Sequence, residues 1–119
     1  MADSFRDRYR PGKVRGLLVA GSGLELEVPG WEASEEIDLS QVLPFTLHEL
    51  MGHRQTVTLR RRRDESLMVF NGRFHLYQGY RPEEVVAPVR LAGLLGAEVM
   101  IATNATGSLD PAIEPGSIV

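Results

Sequence analysis

Cysteine is absent from the chain, so neither a disulfide nor a thiolate metal site is available, and a reducing cytoplasm is the natural compartment. Long apolar runs are absent too. Nothing approaches the roughly 20 residues a membrane-crossing helix needs, and the polar opening "MADSFRDRYRPG" lacks the apolar centre of a signal peptide. There is no basic excess: 13 lysines and arginines face 16 acidic residues, a net charge of -3, which argues against wholesale nucleic-acid binding. Histidines number only 3, and His48, His53 and His75 show no metal-ligand spacing, so no metal is expected. No internal repeat or low-complexity tract interrupts the chain.

The 119 residues are 43% hydrophobic and 24% charged, which suits one compact domain able to bury roughly two thirds of its unfolded surface. Residues 1–12 mix charge signs and read as a disordered or loosely packed arm, with the domain proper over residues 13–119. The apolar run 16–20 delivers the chain into a Gly-Ser-Gly turn, the pattern of a buried strand ending in a tight loop. Residues 37–41 alternate loosely before Pro44, as an extended segment or a partly exposed strand would. Two apolar arms, 56–59 and 67–70, flank a charged stretch and predict a hairpin turning near residues 62–65.

Asn71-Gly72 offers a competing two-residue hairpin. After Tyr80, Pro82 suits a first helical position, and Glu83 and Glu84 suit the first turn. Val85, Val86, Val89 and Leu94 supply an apolar face, Pro88 an early bend and Gly96 a stop. Residues 99–102 form an apolar strand that opens into a loop of small and hydroxylated residues. Strand, loop, helix, strand, loop is α/β grammar, and ligands in such sheets bind beyond the carboxyl ends of the strands. Two of those ends are rich in small residues, at 21–23 and 104–108.

Within "VFNGRFHLYQGY", residues 69–80, strand alternation would put Arg73, His75 and Tyr77 on one face and Phe74 and Leu76 on the other. A guanidinium fork beside an imidazole suits a phosphate-sized anion. On this stretch alone a half-exposed strand face is the more economical account. "AGSGL" presents backbone N–H groups and the Ser22 hydroxyl at a strand end, yet it lacks the lysine of a P-loop and the third glycine of a dinucleotide fingerprint. "GH" at 52–53 places His53 in a loop, where it is able to donate to an anion or a sugar hydroxyl. The arginine run at 60–63 is followed at once by Asp64 and Glu65, with no interleaved aromatics, and reads as a solvated hairpin tip.

In their order, "VAGSGL", "GH", "GRFHLYQGY" and "PVRLAGLLGAEVMIATNATGSLDPAIEPGSIV" resemble the N-terminal part of the purine nucleoside phosphorylase family, in its low-molecular-mass, trimeric branch. The resemblance implies the N-terminal half of a doubly wound α/β phosphorylase fold, a mixed sheet with flanking helices. It also implies a homotrimer and reversible phosphorolysis of purine nucleosides to free base and pentose 1-phosphate. Inorganic phosphate is the co-substrate and no cofactor is needed. By the same resemblance, Ser22, Arg73, His75 and the backbone of Ala105 bind phosphate, with His75 also counted as catalytic. His53 closes over phosphate and sugar, Tyr77 contacts the ribose, and Asn104 supports its loop.

The family pattern further implies that "LMVFNGRFH" runs on as one strand, without a hairpin at Asn71-Gly72. It places Gln78 where an acid is common. The family's purine-binding residues would lie beyond Val119, so weak or absent catalysis by these residues alone is expected. A non-catalytic binding or assembly module of the same fold is the alternative expectation.

Overall fold

The computed structural model describes residues 1–21, 26–48 and 55–119. Five strands form one sheet: β1 (Lys13–Ala20), β2 (Glu32–Asp38), β3 (Thr56–Arg62), β4 (Glu65–Asn71) and β5 (Val99–Ala102). The spatial order is β2-β3-β4-β1-β5. β2, β3 and β4 pair antiparallel, whereas β1 pairs parallel with β4 on one side and with β5 on the other. This is the expected mixed sheet with flanking helices. The β3–β4 hairpin turns at Arg63 and Asp64, with Arg62 opposite Glu65. Val57, Leu59, Met68 and Phe70 from its two arms are all buried. β1 buries Val14, Leu17, Val19 and Ala20, as a strand inside a parallel array must.

The opening segment is not a loose arm. It is helix α1 (Ala2–Tyr9), with Phe5 and Tyr9 four residues apart on one face, buried in the core, their rings 4.9 Å apart. The arginine run explains how α1 is held, and that run is not a solvated tip. Arg61 donates to the carbonyls of Tyr9 and Arg10, at 2.8 Å each. Arg60 donates to the Leu26 carbonyl at 3.0 Å, and Arg62 lies 4.4 Å over the Trp31 ring. Of the four arginines, Arg63 alone sits in the turn.

After Tyr80 the chain forms two helices, α2 (Pro82–Val85) and α3 (Ala87–Leu94). Pro88 has no N–H to give the carbonyl of Glu84, so the ladder breaks and restarts at Val86. The restart moves the apolar stripe. Ala87, Pro88, Leu91 and Ala92 face the core, while Val86, Val89 and Leu94, expected there, are exposed. Gly96, at φ 102°, ends the helix as expected. At the start of α2 the Glu84 carboxylate accepts from the Arg81 backbone N–H at 2.8 Å and from its guanidinium at 3.0 Å. These bonds hold the Glu84 carboxyl below its usual pKa, the guanidinium bond contributing most. No helix among the described residues is long and apolar enough to cross a membrane.

Two outcomes follow. Phe5 is 1% exposed, so Phe5→Ala is expected to cost about 3–5 kcal/mol in urea unfolding; a cost near zero would mean that α1 does not belong to the core. Because the native pKa of Glu84 is lowered, its stabilising contribution is present at neutral pH. It begins to fade as pH drops below the ordinary value of 4.5 and is gone below the lowered native value. The stability difference between wild type and Glu84→Gln should therefore shrink on acidification, and a difference that stays constant from pH 7 to pH 3 would refute the linkage.

Candidate functional site

Because β1, β4 and β5 run parallel, their carboxyl ends lie along one edge, with Ala20 opposite Asn71 and Val19 opposite Ala102. The three loops that leave this edge begin at Gly21, Gly72 and Thr103. The first and third touch through their backbones. Gly21 N–H donates to Thr103 Oγ1 at 2.9 Å, and Thr103 N–H donates to the Val19 carbonyl at 2.9 Å. A Cβ on Gly21 would lie 2.7 Å from the Thr103 carbonyl oxygen and 2.9 Å from Asn104 Cα, so only glycine permits the approach.

The middle loop carries the Arg-His-Tyr series. β4 stops at Asn71 and Gly72 bends the chain at φ 123°, so neither a continuous strand through His75 nor a hairpin forms. Phe74 is the anchor: it is 3% exposed and packs on Phe70, Tyr80 and Phe45, with ring centroids 5.3, 4.9 and 6.0 Å away. Alternation holds for residues 73–75 and then fails. A single 3-10 turn, Leu76–Gln78, replaces extended backbone, leaving Leu76 and Tyr77 61% and 81% exposed.

The turn nevertheless keeps His75 and Tyr77 together, their rings stacked at 4.8 Å and 17°. Gln78 closes it by accepting the His75 N–H at 2.8 Å, a bond that a carboxylate at this position would also make. Gly79, at φ 89°, caps the turn. Among the described residues two buried guanidinium nitrogens, Arg60 Nε and Arg73 Nε, have no hydrogen-bond partner. A buried guanidinium N–H left unmatched is costly, and an anion is its natural complement.

In the third loop, Asn104 Oδ1 accepts from Thr106 Oγ1 at 2.9 Å, and both Asn104 and Ala105 are exposed. Ser22 and His53 lie outside the described residues. The sequence reading missed Thr103, which locks the first loop to the third, and Tyr80, which is 3% exposed beneath Phe74. A tyrosine three residues after an exposed one and two before the proline that leads α2 carried no periodic signal. Among the described residues no three His, Asp or Glu side chains group closely enough to hold a metal. An apolar groove lined by Leu17, Val89, Ala92, Val99 and Met100 lies between α3 and the amino end of β5, away from the three loops.

Comparison with known proteins gives a consistent picture. The family model described as the phosphorylase superfamily matches residues 17–119. Purine nucleoside phosphorylase 1 of Geobacillus stearothermophilus is 33% identical over 118 residues, covering 99% of this chain and 43% of that protein. The purine nucleoside phosphorylase of Mus musculus is 32% identical over 111 residues, covering 93% of this chain and 37% of that protein. A crystal structure of Schistosoma mansoni purine nucleoside phosphorylase in complex with acetate superposes with a TM-score of 0.80 at 25% identity, over 95% of this chain and 41% of that one. Isoform 2 from the same organism, in complex with cytosine and ribose-1-phosphate, gives 0.77 at 25% identity over 94% and 39%. The chain thus spans about two fifths of the length of these relatives.

The contact between the first and third loops makes two glycines respond oppositely to the same change. Gly21→Ala should destabilise by about 1–3 kcal/mol, because backbone must move. Gly93→Ala, in α3 with nothing within 4 Å of its Cβ, should be neutral or stabilise by up to about 1 kcal/mol. Thermal unfolding of both variants checks this, and equal effects would contradict the close approach.

Proposed function

Since this chain belongs to the phosphorylase superfamily, and within it stands with the purine nucleoside phosphorylases, we propose that its three-loop edge is the phosphate- and pentose-holding part of a purine nucleoside phosphorolysis site. The observation that carries this reading is the buried, unmatched Arg73 Nε in the loop that also stacks His75 on Tyr77. In the proposed assignment, Arg73, His75, Ser22 and the Ala105 backbone hold phosphate, and His75 is the catalytic contact. His53 closes over phosphate and sugar, Tyr77 meets the ribose, and Asn104 steadies its loop through Thr106.

Phosphorolysis forms a bond from a phosphate oxygen to the anomeric carbon and breaks the bond from that carbon to the purine nitrogen, which leaves with the electron pair. The sugar passes through an oxocarbenium-like state, as in other glycosyl transfers. A dianion fixed beneath it therefore acts as nucleophile and as charge stabiliser. Phosphate is thus a co-substrate, and no cofactor enters the scheme. The resemblance supplies no contact for the purine among these residues. Help to a leaving group by a positioned acid typically contributes about 10²- to 10⁴-fold in rate, so these residues alone should turn over feebly or not at all. We place the protein in the cytoplasm as a homo-oligomer, a trimer by family pattern, with neither nucleic acid nor membrane as partner.

A second reading, a non-catalytic assembly module of the same fold, is favoured by β5. All four of its residues are exposed, Val99, Met100 and Ile101 by more than half, which leaves an apolar sheet edge open to a partner.

Calorimetric titration with inorganic phosphate, and phosphate-dependent release of hypoxanthine from inosine, separate the two. We expect saturable phosphate binding that Arg73→Ala weakens at least about 10-fold, the loss of one charge-assisted contact. A defined oligomer that binds neither phosphate nor nucleoside would leave the assembly reading standing and remove the first.

A further inference from the structure

The loop that carries Arg73, His75 and Tyr77 is anchored by Phe74 and Tyr80, both buried, their rings 4.9 Å apart. Between those anchors burial does little. Leu76 and Tyr77 are mostly exposed and His75 and Gln78 partly so, which gives residues 75–79 little hold through apolar packing. A single 3-10 turn has little stability of its own either. Hydrogen bonds must therefore hold the segment. The Gln78 N–H donates to the His75 carbonyl and the Gly79 N–H to the Leu76 carbonyl, both at 3.0 Å. The third bond comes from a side chain: Gln78 Oε1 accepts the His75 N–H at 2.8 Å, the shortest of the three.

That bond has two consequences for His75. With its backbone N–H engaged, His75 has only its imidazole to offer an anion. The bond also sets the extended entry into the turn, at His75 φ -123° and ψ 144°, from which the Tyr77 ring comes back to lie on the imidazole at 4.8 Å and 17°. We propose that Gln78 is a positioning residue. Its side-chain carbonyl, by holding the His75 N–H, keeps the turn in which the imidazole lies flat on Tyr77, and so sets the ring that the function proposed above gives to phosphate. The link to phosphate rests on that function; the link between Gln78 and the stacked rings does not.

The test uses Gln78→Ala, which removes the acceptor, and Gln78→Glu, which keeps an oxygen in its place. In the ligand-free protein the His75 ring protons, assigned by their loss in His75→Ala, are read by NMR. A ring lying over Tyr77 is displaced upfield, and Tyr77→Leu measures by how much. Gln78→Ala should remove at least half of that displacement, whereas Gln78→Glu at neutral pH should retain it. Calorimetric titration with inorganic phosphate should show Gln78→Ala weakening affinity about 3- to 10-fold, as expected for one lost hydrogen bond, with no further loss when His75 is already alanine.

An unchanged His75 displacement in Gln78→Ala, or equal loss in Gln78→Ala and Gln78→Glu, overturns the positioning role whatever phosphate does. Equal loss of affinity with and without His75 overturns its action through the imidazole. Loss of the displacement in Gln78→Ala alone, in a protein whose wild type binds no phosphate, would uphold Gln78 as the lock on the stack and reject the phosphate site.

Discussion

β1 is hydrogen-bonded in parallel on both sides, and the placement of the loops that carry Arg73, His75, Asn104 and Ala105 depends on that pairing. Parallel strands point the same way, so the loops after β1, β4 and β5 have to emerge at one edge. They also cannot be joined by a tight turn. The chain must therefore leave the sheet after β4 and cross over β1 before it enters β5, and it uses residues 72–98 to do so. Those residues carry the Arg73-His75-Tyr77 loop first and helices α2 and α3 second. The requirement that brings the three loops together thus also separates them from the helices, which pack beneath the sheet with Leu91 and Ala92.

The two edges of the sheet are unlike. β2 shows Glu32, Glu35 and Glu36 to solvent, and such charges discourage pairing with another strand. β5 shows Val99, Met100 and Ile101, with no charge among its four residues. The protected edge lies beside the antiparallel hairpin, and the open one lies beside the loops of the candidate site. Whatever covers β5 also borders the loop that begins at Thr103.

Arginine serves two different ends in this chain. Arg60, Arg61 and Arg62 spend their donors or their charge on carbonyls and on an indole, tying α1 and the residues before β2 to the sheet. Arg60 Nε and Arg73 Nε are both buried without a partner among the described residues, but Arg60 also donates to the Leu26 carbonyl. The sequence pattern read the first group as a solvated tip, whereas Arg60, Arg61 and Arg62 help to hold the fold. The isolated arginine sits in a loop that Phe74 anchors from below.

Local pattern determined a good deal. Apolar runs placed β1, β5 and both arms of the β3–β4 hairpin, because burial on a sheet face demands contiguous or alternating apolar residues. Pro82 and Gly96 marked where the helical region begins and ends, because each restricts or frees a single φ angle. The motifs "GRFHLYQGY" and "TNATGSL" pointed to the family.

What only the tertiary structure decided are matters of register and long-range contact. The packing of α1 needed Arg61, some fifty residues away, to satisfy the carbonyls at its end. The helix face that turns inward was set by the restart at Val86, which no count of apolar residues through a proline reveals. His75 and Tyr77 share a side because a 3-10 turn stacks them, not because a strand alternates them. Gly21 touches Thr103 because β1 and β5 are neighbours. Propensity and periodicity act over a few residues, whereas these contacts join segments that only the folded sheet brings within reach.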